Sequence, residues 1–305
     1  MEELKKPGFL KPGDSIGIIA PARSVTPGQM APFKDLLVNR GYIPVEGNYL
    51  YGQHNQFSGT ADERLSDLVQ MYMDPEVKAV FAARGGYGCV HLLNGMDWEV
   101  IRENPKWLVG FSDVTALHTA LGKFMETIHG VMPYSLVMDE PQDKGSFDIL
   151  FNILEGQDIE YSVEDHSLNI SGTAKGILTG GNLSVLYSLA GTPYEPDYQD
   201  KILFLEDLDE YLYHVDRMIA NFEIRGIFQK VAGLVIGDFS DMHDNMVPYG
   251  RKACEIIAER AIKYGVPTLF NFPAGHKLFN HPLIFGRLST LTVQAGQCSL
   301  SMKND

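Results

Sequence analysis

The feature that most constrains the fold runs from residue 106 to 115, Lys-Trp-Leu-Val-Gly-Phe-Ser-Asp-Val-Thr. Residues 107–111 form a continuous apolar run, which reads as a short strand buried on both faces. After it the apolar residues change period: Val114, Leu117 and Leu121 recur at helical spacing over residues 113–124. A strand passing so abruptly into a helix demands a sharp turn, and Ser112 sits at it. The N–H groups at the start of the helix can face a developing negative charge. Gly110 supplies half of the G-x-S-x-G nucleophile elbow, and Val114 stands where the second glycine would be. Two compatible readings follow: Ser112 is a nucleophile, or it caps the helix, a common use of serine.

The rest of the first half repeats the same alternation. Residues 15–21 form a buried-type strand introduced by the turn Lys11-Pro12-Gly13-Asp14. A helix over 27–40 places Met30, Phe33, Leu36 and Leu37 on one face, and a polar loop covers 48–60. A second helix carries Leu65, Leu68, Val69 and Tyr72, and a strand over 77–83 ends in Arg84-Gly85-Gly86-Tyr87-Gly88. Another helix precedes the Trp107 strand. Strands alternating with helices predict a doubly wound parallel sheet with function at the strands' carboxyl ends. Ser112 and the glycine loop both lie at such ends. Glycines let a backbone approach a ligand and expose its N–H groups. The loop matches neither a P-loop nor a dinucleotide fingerprint, so a bare tight turn is the competing reading.

After His129-Gly130 the pattern changes. Residues 138–146 read as loop, 147–154 as a short helix and 157–167 as a polar stretch. The domain boundary is expected here, giving domains of residues 1–160 and 161–305. In the second half, 167–170 and 172–178 read as short strands, and Gly180-Gly181-Asn182-Leu183 introduces a helix that ends near Gly191. Residues 202–205 are a buried strand ending in Glu206-Asp207, and 231–237 a strand ending at Asp238. Helices are expected over 212–222 and 249–263, and a last strand over 288–293.

Composition excludes several classes. The 305 residues carry 39 acidic against 25 basic side chains, a net charge of −14. That balance argues against a nucleic-acid surface or an anionic membrane surface. Cys89, Cys254 and Cys298 form no C-x-x-C pair and no disulfide framework. With no apolar signal core at the N-terminus and no segment long enough to span a bilayer, the cytoplasm is the expected compartment. No H-E-x-x-H, paired cysteines or His-x-His cluster suggests a metal, and no cofactor is expected.

A nucleophilic serine needs a base, most often histidine, and the base needs an orienting acid. Of nine histidines, His91, His118 and His214 fall in predicted helices, where packing or surface roles are expected. His54, His166 and His243 lie in polar loops. His129, His276 and His281 lie in glycine- or proline-bearing connections, where function concentrates. Glu206 and Asp207 end a strongly apolar strand, where a carboxylate faces a site. The alternative is a solvated strand end, with Asp207 capping the next helix.

Taken together, these stretches resemble the LD-carboxypeptidase family, serine peptidases of the murein tetrapeptide carboxypeptidase type. The likeness rests on Leu10-Lys11-Pro12-Gly13-Asp14 with Ile18-Ile19-Ala20-Pro21, on Ala83 to Gly88 and on Gly110-Phe111-Ser112-Asp113-Val114-Thr115. It continues with Gly180-Gly181-Asn182-Leu183, Leu205-Glu206-Asp207 and Ala274-Gly275-His276, so it spans nearly the whole chain. The resemblance implies a flavodoxin-like, doubly wound N-terminal domain and a smaller mixed β/α C-terminal domain. It implies a triad of Ser112 as nucleophile, His276 as base and Glu206 as acid, the serine coming from the first domain. The oxyanion hole it implies is backbone N–H of Gly86 and Asp113.

The implied reaction releases D-alanine from cytoplasmic murein tetrapeptides in peptidoglycan recycling, through an acyl-enzyme. Such a substrate ends in a carboxylate, for which Arg84, Gly85 and Asn182 are candidate contacts. The expected partner is a small peptide. The family also includes dimers, although no stretch here marks an interface. It also contains microcin C-type immunity peptidases that cleave acyl-adenylate peptides with the same triad. The compact segment between Ile177 and Asn182, without an aromatic-bearing insertion, favours the muropeptide enzyme. A non-catalytic module that binds a small anion on the same scaffold is the rival from another class.

Overall fold

The computed structural model describes residues 4–138 and 142–304. Residues 139–141 of the loop expected over 138–146, and the first three of the N-terminus, lie outside the described residues. The chain divides into two compact units, Met1–Gln157 with Asn280–Ile284 and Asp158–Phe279 with Phe285–Asp305. The return of Asn280–Ile284 to the first unit differs from a single division after residue 160.

The first unit holds the strands β1 (Ser15–Ile19), β2 (Ile43–Glu46), β3 (Val77–Ala82), β4 (Trp107–Gly110) and β5 (Thr127–His129). Its helices are α1 (Pro27–Asn39), α2 (Ala61–Met73), α3 (Trp98–Glu103), α4 (Thr115–Leu121) and α5 (Lys144–Leu154). The β1–β2, β1–β3, β3–β4 and β4–β5 pairs are all parallel. The strand order is 2-1-3-4-5, with a late three-residue strand beyond β5. This is the flavodoxin-like order, and its topological switch point lies between β1 and β3. Ile16, Ile18, Val80, Phe81, Leu108 and Val109 are all fully buried, as strands covered on both faces require.

Both long helices of the first half open on capping boxes, Thr26 with Gln29 and Thr60 with Glu63. These satisfy N–H groups that the first turn leaves unpaired. Helix α2 is rotated from the expected face. It buries Arg64 and Asp67 beside Leu68, Met71 and Tyr72, while Leu65 and Val69 are only partly covered. The two charges are tolerated because backbone groups receive them. Asp67 accepts from Tyr49 N at 3.0 Å, and Arg64 donates to Gly88 O at 3.0 Å and to Pro21 O.

In the second unit the strands are β6 (Ile159–Val163), β7 (Gly172–Asn182), β8 (Ile202–Leu208), β9 (Gly233–Ser240) and β10 (Thr268–Leu269). After the short β11 (Leu283–Phe285), which joins the first sheet, come β12 (Leu288–Gln294) and β13 (Gln297–Met302). The order is 10-9-8-7-12-13-6. Strands β7 to β10 run parallel, while β12, β13 and β6 add antiparallel. Helices α6 (Leu183–Ser188), α7 (Leu212–Ile224), α8 (Ile227–Lys230) and α9 (Ala253–Tyr264) complete this unit. Val215, Met218, Ile219 and Phe222 of α7 pack with Ile256, Ile257 and Ala261 of α9 and Leu203, Leu205, Leu234 and Ile236 of the sheet.

Two strand assignments change. The expected strand over 167–170 is absent apart from one bridge at Ile170, because residues 166–169 turn back on themselves: Asn169 N donates to His166 O. Strand β7 runs on past residue 178 through Gly180 and Gly181 to Asn182, and the helix expected to follow them, α6, begins at Leu183. Gly180 has φ +136°, and a Cβ there would lie 2.0 Å from Phe204 O. Only glycine lets β7 approach β8 this closely.

Candidate active site

Ser112 lies one residue, Phe111, beyond the end of β4 and opens a 3-10 turn, Ser112–Val114, that continues as α4. Its φ is +61°, a conformation that costs a non-glycine residue energy and that clusters at functional sites. A Cβ on Gly110 would lie 2.9 Å from both Val114 methyls. The space that the elbow needs therefore comes from the glycine before the serine, and a valine can occupy the position after it. Neither the 3-10 turn nor α4 receives a side-chain cap. The capping alternative therefore does not describe what this hydroxyl does.

The glycine loop after β3 packs against that elbow. A Cβ on Gly85 would sit 3.3 Å from Ser112 Cβ and 3.5 Å from Asp113 N. Gly86 and Gly88 adopt φ of +111° and +138°, open only to glycine at little cost. The loop is held at its far end as well. Cys89 N donates to Asp113 Oδ2 at 2.8 Å, and Arg64 holds Gly88 O. Burial pushes the Asp113 carboxyl up, against the lowering effect of the Cys89 bonds and the Arg64 charge. Asp113 thus ties the elbow to the loop through its side chain, while its N–H lies at the start of the turn.

His118 of α4 has a structural task. One ring nitrogen lies 2.9 Å from Gly110 O, the other 2.9 Å from Thr127 Oγ1. Burial lowers its pKa to about 4, so it is neutral at pH 7. His129 lies fully buried on β5, edge-on to the Phe111 ring at 5.8 Å. His281 is half-buried, and burial lowers its pKa despite the nearby Asp143. Arg84 leaves β3 half-buried, its guanidinium carbon 4.0 Å from the centre of the Tyr134 ring.

The second unit brings Glu206 and His276 together. Glu206 lies in β8 where the register with β9 shifts: Leu205 faces Ile236, but Asp207 faces Phe239. Such bulges re-aim a side chain and recur beside active sites. The Phe272–Lys277 loop is laid along the end of β9. Phe272 N donates to Ile236 O at 3.0 Å, Asp238 N to Ala274 O at 2.9 Å and Lys277 N to Asp238 Oδ2 at 3.2 Å. Gly237 and Gly275 permit the approach, since a Cβ on either would come within 2.8 Å of Ala274 O or Asp238 Cβ.

The result is a hydrogen bond of 2.7 Å between His276 Nδ1 and Glu206 Oε2. The His276 side chain is 12% exposed and that of Glu206 is fully buried. Burial opposes a charge on His276, but Glu206, with Asp207 and Asp238 adding their fields, raises its pKa overall. With Glu206 accepting from Nδ1–H, the basic nitrogen of the neutral ring is Nε2.

Asp207 and Asn182 form a separate network beneath this pair. Asn182 Nδ2 donates to Asp207 Oδ1 at 2.9 Å, and Asn182 Oδ1 accepts from Val185 N at the start of α6. Asp207 also accepts from Ser184 N at 2.9 Å. Its carboxylate thus serves α6, not the helix that follows it in sequence. Burial, with Glu206 beside it, raises the Asp207 pKa to about 7. Asn182 is 5% exposed, and its amide is engaged in this cap, which argues against the substrate contact expected for it.

Arg64 and Asp238 are the site residues that the sequence did not single out by role. Asp238 carries the same signal as Glu206, an acid ending an apolar strand. Arg64 carries none, since an arginine in an amphipathic helix reads as surface. Among the described residues no group of three or more His, Cys, Asp or Glu is placed to hold a metal, and no helix is long and apolar enough to cross a membrane.

Comparison with known proteins bears directly on this arrangement. The family model described as the LD-carboxypeptidase N-terminal domain matches residues 16–130, and that described as the LD-carboxypeptidase C-terminal domain matches residues 175–291. A probable murein peptide carboxypeptidase of Bacillus subtilis is 38% identical over 89% of this chain and 86% of its own length. The crystal structure of muramoyltetrapeptide carboxypeptidase from Oxalobacter formigenes matches with a TM-score of 0.87 and 28% identity, covering 95% of this chain and 99% of that one. The microcin C7 self immunity protein MccF matches with a TM-score of 0.87 over 98% of both chains at 22% identity, a likeness of fold.

Proposed function

Since the chain belongs to the LD-carboxypeptidase family and is a serine carboxypeptidase, we propose that it releases D-alanine from murein tetrapeptides by cutting the L–D amide bond. Ser112 Oγ attacks the amide carbonyl while His276 Nε2 takes its proton. Glu206 holds Nδ1–H, fixes the tautomer and stabilises the imidazolium. The N–H groups of Gly86 and Asp113 receive the tetrahedral oxyanion. His276 then returns the proton to the departing D-alanine nitrogen. Water, deprotonated by the same imidazole, hydrolyses the acyl-enzyme. Cytoplasmic recycling of peptidoglycan is the physiological setting proposed for this reaction.

The observation that carries this reading is the Ser112 elbow: a serine held at φ +61° with Gly85 packed against it and no capping duty. Strain kept at one residue, next to a loop that exposes N–H groups, supports nucleophilic use. The continuous run of β7 to Asn182, leading straight into α6, supports a muropeptide substrate over an acyl-adenylate, because it holds no inserted loop. The test is incubation with murein tetrapeptide, murein pentapeptide and a hydrolysable acyl-adenylate peptide. D-Alanine is expected from the tetrapeptide alone. Release of the nucleotide part without D-alanine would replace the substrate and leave the serine chemistry standing.

A further inference from the structure

The switch point of the first sheet carries a pair of cations. Arg23 lies in the loop leaving β1 and Arg84 in the loop leaving β3, two adjacent parallel strands. Their carboxyl ends are where open α/β sheets bind ligands. The backbone on either side of Arg23 is held against the following loop by Ser24 N to Gln56 O at 3.0 Å and Ser58 N to Ala22 O at 3.1 Å. Its side chain lies over Gly86: a Cβ there would be 2.6 Å from Arg23 Cδ and 2.9 Å from Nε. A second reason for glycine at 86 is therefore to admit this arginine. A Cβ on its neighbour Gly85 would lie 3.3 Å from Ser112 Cβ.

Arg84 is held on the Tyr134 ring, and its pKa is lowered by burial and further by the charge of Arg23. Among the described residues neither arginine has a carboxylate partner. In a chain with 39 acidic and 25 basic side chains, an ion pair for each would be easy to supply. Two like charges brought together without one leave a place for an anion.

We propose that Arg23 and Arg84 together receive the free C-terminal carboxylate of the peptide substrate, beside the Gly85–Gly86 turn. This rests on the reading of the protein as a carboxypeptidase that removes a single terminal residue. In such a substrate the carboxylate is three bonds from the scissile carbonyl carbon. The groups that bind it must therefore adjoin those that bind the oxyanion. Arg84 supplies a guanidinium fixed by the ring, and Arg23, more exposed, closes on the anion from the other strand. The selection is for a terminal residue, because an internal peptide bond or a C-terminal amide presents no charge there.

The test compares murein tetrapeptide with its C-terminal carboxamide. Binding is measured calorimetrically on Ser112→Ala protein, and hydrolysis on the wild-type protein. The acid is expected to bind Ser112→Ala protein about tenfold or more tighter than the amide, the scale of hydrogen bonds to a charged group. Adding Arg23→Gln should remove that preference by weakening the acid alone, and Arg23→Lys should restore part of it. Equal binding of acid and amide by Ser112→Ala protein, or equal weakening of both by Arg23→Gln, overturns the proposal. If the wild type hydrolyses neither peptide but Ser112→Ala protein still prefers the acid, the anion subsite stands and the proposed reaction falls.

Discussion

Replacing Glu206 by glutamine tests the part of the site with the most defined geometry. The side chain is fully buried, and one of its oxygens lies 2.7 Å from His276 Nδ1. Glutamine keeps the shape but removes the charge that favours the imidazolium. It also introduces a buried NH2. If the NH2 faces Nδ1, the ring proton must move to Nε2, and the imidazole can no longer accept a proton from serine. If the amide oxygen faces Nδ1 instead, the NH2 is left in the place of Glu206 Oε1, which has no hydrogen-bond partner in the structure. An unsatisfied buried donor costs about 1–3 kcal/mol.

Either orientation removes support that is realised only when the base is protonated. The corresponding acid-to-amide change in a Ser-His-Asp protease lowers turnover about 10⁴-fold, equivalent to about 5 kcal/mol of barrier. A loss of about 10³- to 10⁴-fold in kcat is therefore expected here. The pH profile adds a sign. In the wild type His276 is raised, and it must be neutral to act as base, so activity climbs as pH rises through that raised value. Without Glu206 burial dominates and the ionisation falls, moving the acid limb of kcat/KM to lower pH. The assay is D-alanine release across pH, with thermal melts to confirm folding. A turnover within threefold of wild type, or an acid limb moved to higher pH, would refute the reasoning.

Two further outcomes follow from the same geometry. Gly85→Ala places a methyl 3.3 Å from Ser112 Cβ and 3.4 Å from Phe111 O, so kcat should fall about 10²-fold with little change in melting temperature; a variant of wild-type turnover would dissociate this loop from the oxyanion. Asp207 takes up its proton more readily folded than unfolded, its pKa raised from 3.8 to about 7. Its contribution to stability is therefore greatest below pH 4 and is lost as pH rises through about 7. Asp207→Asn should flatten the fall in unfolding free energy between pH 4 and 7, measured in denaturant titrations, and an unchanged slope would contradict it.

The elements legible in the sequence are those whose local pattern and tertiary role agree. The runs through Ile16, Ile18 and Ile19, through Val80 and Phe81, and through Leu203 and Phe204 are apolar because both faces of those strands are covered. Strand β2 has only partly covered and exposed residues, β5 has three residues, β6 buries only Tyr161 and β13 buries alternate side chains, so none carries the continuous apolar run that marks the others. Strand β11 returns from the second half to the first sheet, a pairing no local signal announces.

At the site, the sharp turn at Ser112 was legible because strand and helix periods meet at it, and the place of Glu206 because it follows an apolar run. The choice among His129, His276 and His281 was not legible from position. It depends on a loop that Gly237 and Gly275 allow to lie against β9, a contact between distant segments. The family resemblance, carried by Ala274-Gly275-His276 among other stretches, singled out His276 where residue-level reading left three. Asn182 illustrates the opposite case: offered as a contact for the carboxylate of the implied substrate, it caps the start of α6.

The most direct measurement is covalent labelling with a fluorophosphonate, followed by peptide mass mapping. One adduct per chain is expected, on the peptide containing Ser112. It should vanish in Ser112→Ala protein and form at least a hundredfold more slowly, as an order-of-magnitude expectation, in His276→Ala and Glu206→Gln proteins. Labelling elsewhere, or labelling of Ser112 at the wild-type rate without His276, would contradict a serine activated by the His276–Glu206 pair.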